Sequence, residues 1–325
     1  MESLLKKLKS IIERTESEVE YTGMIIYLLT SEENPYKSYV LNIENNSIFK
    51  EILDSNISKI NLNEINVCDY IEISRPSIPN EIAYLDLESI PMYEKITNSI
   101  RINDENRNIL SKRTIEGIIA KSKGYVIQIM YNENGQDKNI YAYFRMTKSA
   151  FLTSNDKMLK FSDHDGTLLQ ESKEPQLRFG DKLVSISIEN TMFILNGNDF
   201  EILLKYDKLI NEYSVKALED LETKSLVNNF EEFKEYCLGN ILMRRKLHKI
   251  HAKGNISNIK VDDFVRAKQV CGEKLILNIN DDNTISFDPN RKRKSIDHIL
   301  RIYNDEGAET IVSRKPIFAD KKIEI

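Results

Sequence analysis

Apolar residues recur along the chain with two different periods, and the change from one to the other divides the sequence. Over residues 113–195 apolar and polar positions alternate between turn-forming pairs, which is the period of β-strands. Over residues 200–272 apolar positions recur every three or four residues, which is the period of helices. The pattern predicts an α+β fold, with a mixed, antiparallel β-rich N-terminal domain over 1–196 and a mostly helical, basic C-terminal domain over 197–325.

Hairpins are predicted to build the β-rich domain. Residues 117–131 and 139–146 flank Asn134-Gly135, and residues 183–188 and 191–195 flank Glu189-Asn190. Ser185 and Ser187 alternate with apolar neighbours, which predicts a sheet with one face in water.

One stretch, residues 228–254, is predicted to form a single helix that changes character along its length. Asn228 or Asn229 serves as the N-cap and Gly254 lies where the helix stops. The first half is apolar almost all round, which indicates burial. In the second half the apolar residues narrow to one stripe, opposite a basic face of Arg245, Lys249 and Lys253. We expect a helix anchored in a core that presents a positive end to something negative. Other helices are predicted over 1–18, 200–221, 261–270 and 295–303.

Charge is distributed unevenly around that helix. The net charge of −5 and pI of about 5.7 argue against a protein that binds polyanions over its whole surface. Residues 234–301, however, carry 15 Lys and Arg against 8 Asp and Glu, or +7, which leaves −12 for the rest of the chain. Two readings stay open: a solvated basic face, or a sequence-independent nucleic-acid contact. Under the second, the candidate contacts are Arg244, Arg245, Lys246, His248, Lys249, Lys253, Lys260, Arg266, Lys268, Arg291, Lys292, Arg293 and Lys294.

Other chemistry has weaker support in the residues. His248 and His251 are spaced to share a metal, but no further ligand accompanies them, so we expect companions of the basic patch and no metal site. The segment 162–166 contains Asp165-Gly166 and is predicted to be a hairpin turn. Asp220, Glu232 and Lys234 have the residue types of a metal-dependent nuclease site, but they fall on predicted helices.

Several function classes lack their motifs. The 11 glycines form neither a phosphate-binding loop nor a dinucleotide fingerprint, and no nucleophile elbow is present. We therefore expect no cofactor, no catalytic residue and no enzyme. The 3 widely spaced cysteines favour a reducing compartment, and neither a secretory signal nor an apolar stretch of membrane-spanning length is seen. The expected location is the cytoplasm.

Three segments are similar to a known family. They are MFILNGNDFEILLKYD, ILMRRKLHKI and DHILRIYNDE, and in layout they resemble KwaB, the soluble subunit of the bacterial anti-phage system Kiwa. The resemblance implies a homodimeric effector that binds duplex DNA and obstructs phage replication and transcription. It also implies docking on KwaA, a membrane protein that would bring the chain to the inner membrane. A metal-dependent nuclease, and a non-catalytic subunit that docks on an acidic partner or an anionic membrane surface, stay as alternatives.

Overall fold

The chain divides into two compact units. The structure is a computed structural model that describes residues 1–15, 19–30, 37–41, 46–72, 81–105, 118, 121–146, 151–152, 158–161, 169–172, 176–177, 179, 182–309 and 316–318. The first unit comprises Met1–Val67 and Pro79–Leu204, and the second comprises Cys68–Ile78 and Lys205–Ile325. The first is strand-rich and the second helical, which confirms the predicted α+β class.

An eight-stranded sheet forms the centre of the first unit. The elements of this unit in chain order are α1 (Glu2–Ile12), β1 (Val19–Thr30), β2 (Lys37–Leu41), α2 (Ser47–Ser58), β3 (Asn66–Asp69), β4 (Glu81–Asp86), α3 (Pro91–Glu105), β5 (Ser122–Glu133), β6 (Gln136–Arg145), β7 (Phe151–Leu152), β8 (Met158–Phe161), β9 (Leu169–Ser172), β10 (Gln176–Leu177), β11 (Leu183–Ile188), β12 (Thr191–Ile194) and α4 (Gly197–Leu203). The strand order in the sheet is β2-β1-β5-β6-β11-β12-β4-β3, and the consecutive strands β1 and β2, β5 and β6, and β11 and β12 pair as antiparallel hairpins. Two further pairs, β7 with β10 and β8 with β9, lie outside this sheet.

The hairpin predicted around Asn134-Gly135 is confirmed. Both residues have positive φ angles, as a two-residue hairpin turn requires, and Glu133 pairs with Gln136 across them. The turn predicted at Asp165-Gly166 lies outside the described residues. Its flanking strands β8 and β9 do pair, with Phe161 opposite Leu169.

Both faces of the sheet are covered along β11, so the predicted wet face is wrong. Ser185 and Ser187 are buried, although they alternate with apolar residues as a half-exposed strand would. Helix α3 lies over this face, where the hydroxyl of Tyr93 is next to Ser187 and the hydroxyl of Ser99 accepts from the backbone N–H of Ser38. The opposite face carries α1 and α2, whose apolar side chains join one core with the sheet.

The helix α4 closes the first unit. Asn196 caps it by accepting a hydrogen bond from the backbone N–H of Asp199, and Phe200 and Leu203 are buried. This packing carries the unit on to Leu204, beyond the predicted domain boundary at 196. Lys205 then adopts a left-handed conformation and separates α4 from the next helix, so the single helix predicted over 200–221 is two helices.

The second unit is a layer of helices around a separate core. Its elements are α5 (Tyr206–Lys224), α6 (Phe230–Gly239), α7 (Ile241–Lys253), α8 (Val261–Cys271), β13 (Asn278–Ile279), β14 (Ile285–Ser286), α9 (Lys292–Tyr303), β15 (Gly307–Glu309) and β16 (Pro316–Phe318). All five helices described in this unit contribute to the core. The predicted apolar stripe of Tyr236, Met243, Leu247 and Ile250 is divided between two helices: the last three residues lie on α7 and are buried in the core, whereas Tyr236 lies on α6 and packs against the core half-buried. No helix among the described residues is long and apolar enough to cross a membrane.

The stretch predicted as one helix over 228–254 is broken at Asn240. That residue has an extended backbone, and its side chain accepts a hydrogen bond from the backbone N–H of Leu242 at 3.0 Å. Asn240 therefore ends α6 and caps α7. The predicted outer ends are confirmed in position, because α6 begins after Asn229 and Gly254 ends α7 in a left-handed conformation. The asparagine cap predicted at the start is wrong, because Asn229 is left-handed and makes no capping hydrogen bond, while the Asn228 side chain accepts from the backbone N–H of Asn229.

Candidate nucleic-acid interface

Most basic side chains on α7 are enclosed. The side chains of Lys246 and Lys249 are only 5% and 3% exposed, and Arg245 and His248 are also buried. The cause is packing on several sides, because α7 contacts α5, α6, α9 and the short 3-10 turn Tyr70–Glu72. These four residues were predicted as DNA contacts. Their burial removes them from the surface that a duplex reaches.

Two carboxylates of the C-terminal part neutralise this enclosed charge. Glu306 lies 3.1 Å from Lys249, 3.7 Å from Lys246 and 3.2 Å from Arg301, measured between the charged atoms. Asp297 lies 3.3 Å from Lys246 and 2.8 Å from Arg301. A buried ammonium costs several kcal/mol unless it is paired, so this network fixes α7 against α9. The basic side chains predicted to meet a negative partner therefore pair mostly with carboxylates of the protein itself.

Asp297 stays ionised within this network. Burial alone would raise the pKa of Asp297, but Lys246 and Arg301 outweigh burial and hold that pKa below its ordinary value. The amide of Asn304 adds to the same contact by donating to the backbone carbonyl oxygens of Lys246 and Leu300.

Sequence reasoning missed the roles of Asp297, Asn304 and Glu306. All three lie in DHILRIYNDE, one of the segments that carry the family resemblance, and the structure brings that segment against ILMRRKLHKI. The shared motifs therefore mark a packing contact between two helices. The residues that pair between these two segments are more than 50 positions apart, so no local spacing reveals them.

His248 contributes no positive charge to α7 at neutral pH. Its ring stacks on Tyr213 with 5.5 Å between centroids and meets the edge of Tyr206 at 5.8 Å. Burial, with a smaller effect from His251, lowers the pKa of His248 to about 4. Among the described residues no three His, Cys, Asp or Glu side chains are grouped closely enough to hold a metal.

The exposed positive charge lies at the start of α9. Arg291, Arg293 and Lys294 are exposed, and Lys292 is half-buried with its ammonium donating to Glu232 at 2.7 Å. Arg291 pairs with Asp288 at 3.0 Å. Arg293 and Lys294 make no ion pair to any residue in the described part of the chain. This turn therefore presents two uncompensated cations to solvent.

The first turn of α9 is an unfavourable place for cations. A helix N-terminus carries a partial positive charge and unpaired backbone N–H groups, which favour acidic residues or bound anions. The first turn of α9 contains no acid and instead contains Lys292, Arg293 and Lys294. The repulsion costs the isolated protein stability, and a bound phosphate group would relieve it.

The remaining predicted contacts divide into exposed and occupied side chains. Lys260 and Arg266 are exposed at the start and middle of α8, which contacts α9. Lys268 donates to the backbone carbonyl of Leu275 at 2.7 Å, and Arg244 donates to the side-chain oxygen of Asn211. Lys253 pairs with Glu72 at 2.9 Å. The exposed cations of the helical unit that were predicted as contacts are thus Lys260, Arg266, Arg291, Arg293 and Lys294.

Two of the three residues considered for a nuclease site pair with other side chains. The Glu232 carboxylate accepts from Lys292, and Lys234 lies 3.6 Å from Glu222. Asp220 is exposed on α5.

Comparison with known families identifies the chain. A family model described as "Kiwa protein KwaB-like" matches residues 119–312, which is more than half of the sequence. The chain belongs to the KwaB-like family. This membership makes it a component of the Kiwa defence system, as the resemblance implied. The KwaB-like match includes α7, α9 and Glu306 but not Glu72. No curated protein and no solved structure matches the chain.

Proposed function

We propose that this KwaB-like chain is a non-catalytic anti-phage effector that binds duplex DNA through the phosphate backbone, largely without regard to sequence. The observation that carries the proposal is the uncompensated pair Arg293 and Lys294 in the first turn of α9, where the helix terminus already favours anions. Exposed Lys260, Arg266 and Arg291 supply further phosphate contacts. Bound along viral DNA, the protein obstructs replication and transcription.

The acidic remainder of the chain fits this mode of binding. With −12 outside residues 234–301, the rest of the protein repels the duplex and favours contact through the basic helices. Phosphate contacts carry no sequence information, because base edges are read by hydrogen bonds in the grooves.

A binding assay with matched variants tests this proposal. Fluorescence anisotropy with two labelled duplexes of unrelated sequence should give dissociation constants within about threefold of each other. The double variant Arg293→Gln and Lys294→Gln should bind both duplexes at least about tenfold more weakly, since each lost phosphate contact removes counterion release. The control variant Lys37→Gln and Lys59→Gln removes two exposed charges from the first unit and should bind like the parent. Equal losses in both variants would show that only net charge matters.

The same DNA tests the non-catalytic part of the proposal. Supercoiled plasmid incubated with the protein and Mg²⁺ or Mn²⁺ should remain supercoiled. Nicking that disappears on substitution of a single acidic residue would replace this proposal with a metal-dependent nuclease.

We further propose that the protein acts as a homodimer docked on a KwaA-like membrane protein. The support is membership of the Kiwa-associated family. Sedimentation of the purified chain should give twice the mass of one chain, and co-expression with the membrane partner should move the chain into the membrane fraction. A monomer that stays in the supernatant with the partner present contradicts both points.

A further inference from the structure

Glu72 reaches α7 from a distant part of the sequence. It ends the 3-10 turn Tyr70–Glu72, which follows β3 and is grouped with the helical unit. Tyr70 is buried with its ring edge-on to Tyr206 at 5.7 Å, and the backbone N–H of Ile71 donates to the Asp69 side chain. These contacts hold the turn so that the Glu72 carboxylate points at the carboxyl end of α7.

Two lysines one helical turn apart each pair with one oxygen of that carboxylate. The Lys249 ammonium lies 3.0 Å from Oε2 of Glu72, and the Lys253 ammonium lies 2.9 Å from Oε1. Lys249 is also held by Glu306, whereas no second acid holds Lys253 within the described part of the chain. The Glu72 side chain is 34% exposed and that of Lys253 is 26% exposed, so solvent reaches the outer half of the contact.

The geometry is that of an anion site with an internal occupant. An ammonium group that binds a carboxylate oxygen can equally donate to a non-bridging oxygen of a phosphate, and of the two lysines here Lys253 is the one that solvent reaches. Burial alone would raise the pKa of Glu72, but hydrogen bonds from Lys253 and Lys249 outweigh it and hold that pKa below its ordinary value. Glu72 is therefore a full negative charge at neutral pH, on the part of α7 where Lys253 would otherwise be a free cation.

We infer that Glu72 is an autoinhibitory group: it occupies the ammonium of Lys253, which would otherwise bind a DNA phosphate, and so weakens DNA binding by this protein. The inference rests on the proposed DNA binding. Displacement of Glu72 leaves Lys249 paired with Glu306 and releases Lys253, which adds one phosphate contact to those of the exposed cations in the same unit. Glu72 lies outside residues 119–312, which the family model matches.

Removal of the Glu72 charge tests the inference. The full-length Glu72→Gln variant should bind a labelled duplex about three- to tenfold more tightly than the parent, and the slope of log K against log salt should steepen by about 0.9, the value for one added phosphate contact. Glu72→Gln combined with Lys253→Gln should return affinity and slope to the parent values. Lys253→Gln alone should stay within about threefold of the parent, because Glu72 already neutralises that lysine.

Comparison of the outcomes separates this inference from the proposed function. If the parent binds DNA and Glu72→Gln binds equally or more weakly, the inference is wrong while the proposed function stands. If neither protein binds, both are wrong. If Glu72→Gln loses its cooperative unfolding transition, the variant Glu72→Asp replaces it. Glu72→Asp keeps the negative charge, so it should fold, and its shorter side chain cannot span both lysines, so it should show part of the gain in affinity. An unchanged affinity in that variant overturns the inference.

Discussion

Acidification should destabilise the helical unit through His248. The folded-state pKa of about 4 lies below the ordinary value of about 6.5 that the unfolded chain has, because the folded protein buries the ring against Tyr213 and Tyr206. Between these two values the unfolded chain binds the proton more readily. The stability contributed by the neutral ring is therefore complete above pH 6.5 and is lost as the pH falls through about 4.

The size of the effect follows from the difference between the two pKa values. The whole difference corresponds to about 3 kcal/mol, and about 2 kcal/mol of it should be lost between pH 7.5 and pH 5. His248→Phe keeps a flat ring in place and removes the titration. Urea denaturation of the parent and the variant at both pH values gives a double difference, in which the contributions of the other ionisable groups cancel.

A half-buried histidine on the same helix provides the control. His251→Phe should retain more than half of the pH dependence of the parent, because His251 is a lesser cause of the lowered pKa of His248. An equal loss of the free energy of unfolding on acidification in the parent and in His248→Phe would contradict this role of His248. An NMR titration of the His248 ring with a midpoint near 6.5 would refute it as well.

Three further substitutions test the packing of the helical unit by urea denaturation. Glu306→Gln should lower the free energy of unfolding by about 3–5 kcal/mol, because it leaves two buried lysines short of a partner, whereas Glu212→Gln at an exposed pair should cost less than about 1 kcal/mol. Asn240→Ala should lower the free energy of unfolding by about 1 kcal/mol, because it removes the cap on α7. Asn240→Asp should keep most of the stability of the parent, because an aspartate carboxylate can accept the same hydrogen bond. Gly254→Ala should cost about 1–2 kcal/mol because φ is +64°, while Gly239→Ala, with nothing near an added Cβ and no left-handed backbone, should cost nothing. Equal effects at the two glycines would contradict the capping role of Gly254.

The sequence predicted correctly those turns and helix ends that require a left-handed backbone, because particular residue types mark them. The Asn134-Gly135 turn and the Gly254 helix end both depend on left-handed backbone, which those residue types adopt readily. The break at Lys205 has no glycine or proline to mark it, so the helical period predicted one helix across it. The break at Asn240 is marked by the adjacent Gly239 and by the capping side chain of Asn240 itself, but the apolar period on both sides favoured a single helix.

The sequence could predict the basic charge of the candidate interface but not which of its side chains are exposed. The positive charges of Arg293 and Lys294 are visible in the sequence, and the structure leaves them exposed. The enclosure of Lys246 and Lys249 is not visible, because their partners Glu72, Asp297 and Glu306 lie in segments far along the chain. The burial of Ser185 and Ser187 likewise depends on α3, which period-two alternation cannot show.

The salt dependence of DNA binding tests the central claim most directly. For the parent, log K should fall linearly with log salt, and the slope reports the number of phosphate contacts. In the double variant Arg293→Gln and Lys294→Gln the slope should be shallower by about 1.8, the value for two lost contacts. Two parallel lines would contradict the account, because they would show that the first turn of α9 makes no contact with the phosphate backbone.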